Sequence, residues 1–122
     1  MTRHSDQVYL RHMLDHAREA ATLLGSKSVE ELEGTRVLQL ALLHLVEIIG
    51  EAASRVTPET RAALPSVPWR GAVSMRNRII HGYDTVNVRT LWDTISEDLP
   101  RLIAGLEAIL SLGNEPSSGN TA

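Results

Sequence analysis

Hydrophobic residues recur at three- and four-residue intervals along most of this chain, which is the period of an amphipathic helix. The pattern first runs from about Asp6 to Leu24, and Gly25 follows as a stop signal. The opposite side of this segment is polar, with Arg11, Asp15, Arg18 and Glu19. The sequence therefore predicts a first helix that lies at the outside of a bundle.

The second helical segment, from about Thr35 to Val56, is apolar around most of its circumference. Such a helix is buried on several sides, and a small domain can hardly cover all of it, so we expect part of it to face a second copy of the chain. His44 and Glu47 interrupt its apolar run, and residues 1–6 contain no apolar stretch of the signal-peptide type. We expect a soluble, cytoplasmic protein that does not enter a membrane.

Capping signals mark two short helices. Ser28 followed by Glu31 has the spacing of a capping box, which predicts a short helical turn there. Thr57 before Pro58 predicts an N-cap with proline at the first helical position, and this helix ends near Leu64.

Two further helices complete the pattern. One is predicted from about Pro68 to Ile80, ending at His81-Gly82, where glycine can take a left-handed conformation. The last begins after the N-cap Asn87 and runs to about residue 112, with a kink or break at Pro100. No alternating strand pattern or hairpin dipeptide is evident.

These segments predict an all-α fold, an up-and-down bundle of four main helices plus short helices, assembled as a dimer. We expect one helical domain over residues 1–112 and a disordered tail over residues 113–122. The length of 122 residues and the hydrophobic content of 43% suit one domain with a real core. Trp69 and Trp92 are expected to anchor that core.

The amino-acid composition limits the kinds of site and partner that this chain can have. The absence of cysteine excludes disulfides and thiolate zinc sites and agrees with a reducing cytosol. The net charge of -3 argues mildly against a nucleic-acid partner, but residues 61–89 carry five arginines and a single acid, Asp84. A basic zone is therefore expected, although surface arginines can also be ordinary solvated charges.

Two histidine patterns are possible metal sites, and neither is convincing. His12 and His16 lie four apart on one helical face, but no third ligand has suitable spacing. His44 with Glu47 and Glu51 resembles part of a carboxylate and histidine box, which needs further carboxylates from facing helices. We expect no metal and no cofactor; Glu47 is better explained as a partner of an arginine.

The stretch from Arg76 to Tyr83 gathers an arginine, an amide, an imidazole and a phenol within eight residues. Arginine offers planar donors suited to phosphate, and histidine exchanges protons near neutrality, so this set can handle a phosphodiester. Arg76 and His81 diverge by about 140° on a helix but can still converge on one ligand if the helix ends at His81. The alternative is a structural one, with His81 favoured by the helix macrodipole and Tyr83 packed against the fold.

Four segments resemble the HEPN-domain ribonuclease toxins of the HepT type in order and spacing: residues 48–53, 67–70, 75–83 and 91–93. The core of that pattern, Arg-x4-His-x-Tyr, is matched by Arg76, His81 and Tyr83, and Asn77 matches the polar residue that often follows the arginine. This chain departs from the pattern in two places. Many relatives carry an apolar residue where this chain has Asp84, and they carry an aspartate near the position of Asn87.

The resemblance implies a toxin of a toxin–antitoxin system, a metal-independent endoribonuclease that cuts RNA, often tRNA, as a homodimer. It implies Arg76 and His81 as catalytic groups, with Asn77, Arg78 and Glu47 as substrate-binding or supporting residues. It also implies a nucleotidyltransferase antitoxin (MntA-like) that adds AMP to Tyr83. The competing interpretation is a non-catalytic helical module that binds and regulates a nucleotidyltransferase.

A mechanism follows from these side chains. Attack of a ribose 2′-hydroxyl on the adjacent phosphate needs a base, an acid and positive charge for the developing phosphorane. One His81 cannot be base and acid at once, whereas two copies across a twofold axis can supply both. This gives a second reason to expect a composite site in a dimer.

Overall fold

The computed structural model describes residues 3–83 and 85–120, with side chains as far as Ser111. Its elements are α1 (His4–Leu24), α2 (Val29–Glu33), α3 (Arg36–Arg55), α4 (Pro58–Ala63), α5 (Trp69–Ile79), β1 (Ile80–His81), β2 (Thr85–Val86), α6 (Val88–Asp93), a π-helical segment (Thr94–Asp98) and α7 (Leu99–Asn120). The all-α bundle with four main helices and short connecting helices is confirmed. Asp84 lies outside the described residues, and no side chain of the predicted tail, residues 113–122, is described, so the tail stays a prediction.

The core forms where α1 packs against α3 and α7, and α3 packs against α5. Large apolar side chains that are almost fully buried fill it, including Met13, Leu42, Ile49, Ile79, Leu91 and Leu102. Trp69 and Trp92 are partly buried and pack against the edge of this core. Each indole N–H donates to a backbone carbonyl, Trp69 to Leu64 at 3.0 Å and Trp92 to Lys27 at 3.1 Å.

The long helix α3 is buried on two sides, as its sequence predicts, with Leu42, Val46 and Ile49 inaccessible to solvent. On its outer side Val37 is 78% exposed and Leu40 is 46% exposed. By length and composition α3 could also cross a membrane, but half of its most apolar window is buried inside the bundle. A core helix of a soluble protein shows the same combination of length, hydropathy and burial.

A buried carboxylate joins the start of α1 to the start of α4. Asp6 is fully buried, and its oxygens accept hydrogen bonds from the Thr57 N–H at 3.0 Å, the Thr57 hydroxyl at 2.7 Å and the Thr60 hydroxyl at 2.5 Å. Thr57 is also the N-cap of α4, as predicted. The predicted capping box of Ser28 and Glu31 at the start of α2 is present as well.

Helices α3 and α5 approach closely at Gly50. A Cβ atom on Gly50 would lie 3.3 Å from the Ala72 carbonyl oxygen and 3.4 Å from that of Val73. Only a residue without a side chain fits there without displacing backbone. Because α5 carries Arg76, Gly50 also sets the distance of that arginine from α3.

The all-α fold contains one short ladder that no strand pattern in the sequence indicated. After α5 the chain forms a two-residue antiparallel ladder, with Ile80 opposite Val86 and His81 opposite Thr85. Gly82 permits the reversal, since its φ of 70° lies in the left-handed region. Ile80 and Val86 pack against the core and hold the hairpin to the bundle.

The predicted interruption near Pro100 takes the form of a π-helical segment, Thr94–Asp98, between α6 and α7. Proline has no backbone N–H and cannot complete an α-helical hydrogen bond to the preceding turn, which explains why the regular helix changes there.

Candidate active site

The hairpin places His81 on the molecular surface. Side chains alternate across the two strands, so Ile80 and Val86 face inward and His81 and Thr85 are exposed. The helix predicted from about Pro68 to Ile80 ends one residue earlier, at Ile79, and His81 is extended. The strand conformation frees the imidazole from the helical spacing that would have turned it away from Arg76.

Arg76 lies in the last turn of α5 and contacts α3. Its Nε donates to a Glu47 carboxylate oxygen at 2.8 Å, the contact predicted for Glu47. Both side chains are partly exposed, 44% for Arg76 and 42% for Glu47. This ion pair lies at a groove of about 300 Å³ between α3 and α5, which Asn77 also lines. No hydrogen bond or ion pair joins Arg76 to His81 among the residues described.

Asn87 contacts His81 in addition to capping α6, the only role that the sequence predicts for it. Its Oδ1 accepts from the Thr90 N–H at 3.0 Å, which confirms the cap of α6. Its Nδ2 lies 3.2 Å from Nε2 of His81. Residues 81 and 87 are diagonal neighbours on one face of the hairpin, and this proximity could be found only once the ladder was known.

Tyr83 follows Gly82 in the hairpin loop and is 95% exposed. This excludes the alternative in which Tyr83 packs against the fold. A phenol held at the tip of a loop, beside His81 in the chain, is accessible to a second macromolecule.

Arg78 lies on another side of α5. Two residues of helix turn the chain by about 200°, so Arg78 points away from Arg76. It pairs with Asp98 at 3.5 Å and lines a pocket of about 140 Å³ that includes Arg101. Its predicted role in substrate binding is therefore not supported by any contact with Arg76 or His81 in the described structure, and it stays a prediction.

The other histidines lie on α1 and α3. His16 Nδ1 is 2.6 Å from the His12 carbonyl oxygen, so that ring already has a backbone partner. His12 and His44 line a groove of about 430 Å³ that extends along α3 past Glu47 and Glu51. Glu51 is engaged by Arg55, whose pKa this hydrogen bond raises. Within the described residues no three histidines or carboxylates are grouped to hold a metal ion.

Comparison with known proteins agrees with the family resemblance of the Arg76–Tyr83 stretch. Residues 13–109 match the family model described as ribonuclease HepT-like. A protein of Thermococcus cleftensis named "Probable ribonuclease HepT" is 39% identical over 71 residues, which are 58% of this chain and 64% of that relative. A candidate RNase of Caldanaerobacter subterraneus subsp. tengcongensis is 34% identical over 102 residues, 84% of this chain and 91% of the relative.

A candidate RNase of Methanocaldococcus jannaschii is 27% identical over 109 residues, 89% of this chain and all of the relative. No solved structure matches the chain. The family model covers well over half of the 122 residues and includes α3, α5 and the whole Arg76–Tyr83 stretch. The chain belongs to the HepT-like ribonuclease family.

Proposed function

We propose that this protein is a metal-independent endoribonuclease that cleaves RNA, with tRNA as the preferred class, at a composite site formed by two copies of the chain. The observation that carries the proposal is the presentation of His81 on the outer face of a hairpin, directly after the helix that carries Arg76. Family membership supports ribonuclease activity at a coarser level.

The chemistry uses only side chains of this protein. One His81 takes the proton of a ribose 2′-hydroxyl, whose oxygen attacks the adjacent phosphorus. The protonated His81 of the other copy gives its proton to the leaving 5′-oxygen, and Arg76 stabilises the charge on the phosphorane oxygens. The products are a 2′,3′-cyclic phosphate and a 5′-hydroxyl.

Exposed apolar side chains on α3 and α5 support a dimer. Val37 and Leu40 on α3 are exposed, and Val73 on α5, 40% exposed, lines the same groove as Arg76. Val73 lies beside Arg76, and exposed apolar side chains such as these three are suited to burial between two copies. Because one chain contributes a single motif histidine, dimerisation would also complete the acid and base pair.

We propose further that the protein is the toxin of a toxin–antitoxin pair and that a nucleotidyltransferase antitoxin inhibits it by adding AMP to Tyr83. The exposure of Tyr83 meets the requirement for such a modification. A phosphate placed two residues from His81 would repel the RNA backbone and occupy the space beside the imidazole.

The test is incubation of the purified protein with total tRNA, with and without EDTA. We expect cleavage in both conditions, with cyclic phosphate ends, and no cleavage by His81→Ala. His12→Ala is the matched control, since His12 is an exposed histidine like His81 but lies on α1, outside the motif, and it should cleave as the wild type does.

Loss of cleavage in EDTA would overturn the metal-independent mechanism. Absence of cleavage together with tight binding to a nucleotidyltransferase would favour the non-catalytic regulatory module. Light scattering of the same preparation should give twice the mass of one chain, and a monomer with full activity would contradict the composite site.

A further inference from the structure

Asn87 is fixed at three points. Its backbone N–H donates to the Ile79 carbonyl oxygen at 2.7 Å, which ties it to the end of α5. Its Oδ1 accepts from the Thr90 N–H at 3.0 Å, which ties it to the start of α6. Its Nδ2 lies 3.2 Å from Nε2 of His81. The amide is thus held in one place relative to the imidazole.

The cap determines which way the amide faces. The backbone N–H of Thr90 is a donor, so the side-chain atom beside it must be the carbonyl oxygen of Asn87. A reversed amide would place an NH₂ group against that N–H and leave the helix end without an acceptor. The group that faces His81 is therefore the NH₂, which can only donate.

A donor at this position decides where the proton of a neutral His81 resides. Nε2 must accept, and so it carries the lone pair, which leaves the proton on Nδ1. The structure assigns to Asn87 the role of a positioning residue that selects the Nδ1–H tautomer of His81. As a role in catalysis, this inference rests on the proposed ribonuclease function.

The tautomer of His81 decides which of its ring nitrogens can act as the general base. The 2′-hydroxyl of a bound RNA must give its proton to the unprotonated ring nitrogen, and in this tautomer that nitrogen is Nε2. The entering hydroxyl replaces the amide N–H as the hydrogen-bond partner of Nε2, while the bonds of Asn87 to Ile79 and Thr90 keep Asn87 in place. A cap alone does not require asparagine, because serine, threonine and aspartate cap helices as well. Among these residues only asparagine both caps α6 and donates to the ring.

Two substitutions of Asn87 keep the cap of α6 but remove the N–H donor that faces His81. Asn87→Asp keeps an oxygen for the Thr90 N–H but presents an acceptor to His81. Asn87→Ser keeps a capping oxygen and is too short to reach the ring. Both should retain the thermal unfolding midpoint of the wild type within a few degrees, since the cap is preserved.

The deciding measurement is the ¹H–¹⁵N multiple-bond correlation spectrum of protein labelled with ¹⁵N-histidine, recorded at alkaline pH, where imidazoles are neutral. The His81 signals are identified by their loss in His81→Gln. We expect the proton on Nδ1 in the wild type and on Nε2 in Asn87→Asp. A wild-type His81 with its proton on Nε2, or identical patterns in the two proteins, would overturn the assignment.

Steady-state kinetics of RNA cleavage test whether the His81 tautomer affects catalysis. Asn87→Ser should lower kcat for RNA cleavage by roughly tenfold or more while leaving KM within about twofold, because proton transfer is affected and phosphate contacts are not. An unchanged kcat with an intact cap would overturn the positioning role. If the wild type has the Nδ1–H tautomer but cleaves no RNA, the proposed function is overturned, and with it any role of Asn87 in a reaction. The assignment of the His81 tautomer to Asn87 would still stand.

Discussion

Arg76 and Glu47 form an ion pair across α5 and α3 in which the arginine uses its Nε, 2.8 Å from the carboxylate oxygen. Both side chains are nearly half exposed. Exposed pairs of this kind contribute about 0–1 kcal/mol to stability, so the value of this one lies in orientation. Contact through Nε fixes the plane of the guanidinium and leaves its two terminal nitrogens for a phosphate.

We therefore predict that Glu47→Gln lowers kcat for RNA cleavage several-fold without raising KM. Removal of a negative charge beside the phosphate site cannot weaken attraction for RNA, whereas an unfixed guanidinium is poorly placed for the transition state. Steady-state kinetics on a defined RNA would measure both constants. The free energy of unfolding should change by less than about 1 kcal/mol.

Glu107→Gln is the matched control. Glu107 pairs with Arg18 at 2.7 Å with similar exposure, but this pair joins α1 to α7 away from the motif. The control should lose as little stability as Glu47→Gln and retain full activity. Equal kinetic effects of the two substitutions would show that Glu47 has no special relation to Arg76.

Asp6 should make the fold sensitive to acid. Burial opposes ionisation of this carboxyl, but hydrogen bonds from Thr60 and Thr57, with Arg3 nearby, outweigh it and hold the pKa of Asp6 below its ordinary value of 3.8. A lowered pKa means that ionised Asp6 stabilises the folded state above the unfolded-state pKa. That contribution is lost as the pH falls through the lower, folded-state value.

Asp6→Asn should consequently destabilise the protein by about 1–3 kcal/mol at pH 7, the range for hydrogen bonds to a buried charged group. The difference from the wild type should shrink as the pH falls below about 4, because the wild type then loses the same contribution. Urea unfolding at several pH values would measure it. Thr60→Val, which removes one donor, should show a smaller effect with the same trend, and a difference that stays constant with pH would contradict this account of Asp6.

Much of the fold could be predicted from the sequence because helix signals are local. Apolar spacing located α1 and α3, and the caps at Ser28, Thr57 and Asn87 depend on residues three positions apart. The hairpin could not be predicted in this way. It depends on Ile80 and Val86 meeting the core of the finished bundle, which is tertiary information.

In the candidate site, too, local sequence indicates some features and only the tertiary structure shows the others. The roles of Arg76, His81 and Tyr83 could be proposed from their chemistry and their resemblance to a family motif, and they stay predictions. The contact of Asn87 with His81 could not, because it requires the strand register. The buried position of Asp6 was equally hidden, since a charged residue near a helix start is usually exposed and its threonine partners are more than fifty residues away.

Gly50 and Gly71 should respond oppositely to added volume. A Cβ on Gly71 in α5 meets nothing within 4 Å, so Gly71→Ala should stabilise the protein by about 0.5–1 kcal/mol through helix propensity. At Gly50 the nearest atoms are backbone oxygens of α5, which cannot move aside as a side chain would. Gly50→Val should destabilise by about 1–3 kcal/mol.

Gly50→Val should also reduce RNA cleavage in the protein that remains folded, since it pushes α5 and Arg76 away from Glu47. Thermal unfolding and activity on the same preparations would test both effects. Full activity of folded Gly50→Val would show that the spacing of α3 and α5 does not control the site.

Tyr83 should be the residue that a nucleotidyltransferase modifies. The chain has two tyrosines. Tyr83 is 95% exposed at the hairpin tip, and Tyr9 is partly buried on α1 beside the groove that contains His44. Incubation with ATP and the cognate enzyme, followed by peptide mass spectrometry, should find AMP on Tyr83 in the wild type and in Tyr9→Phe, and none in Tyr83→Phe.

The modified protein should bind RNA more weakly, because each added phosphate repels the RNA backbone near Arg76. This repulsion is electrostatic and the site is exposed, so the loss of affinity should diminish as salt concentration rises. A residual loss at high salt would measure the steric part of the inhibition. AMP on another residue in the wild type, or equal modification of Tyr83→Phe, would show that this loop does not carry the regulation.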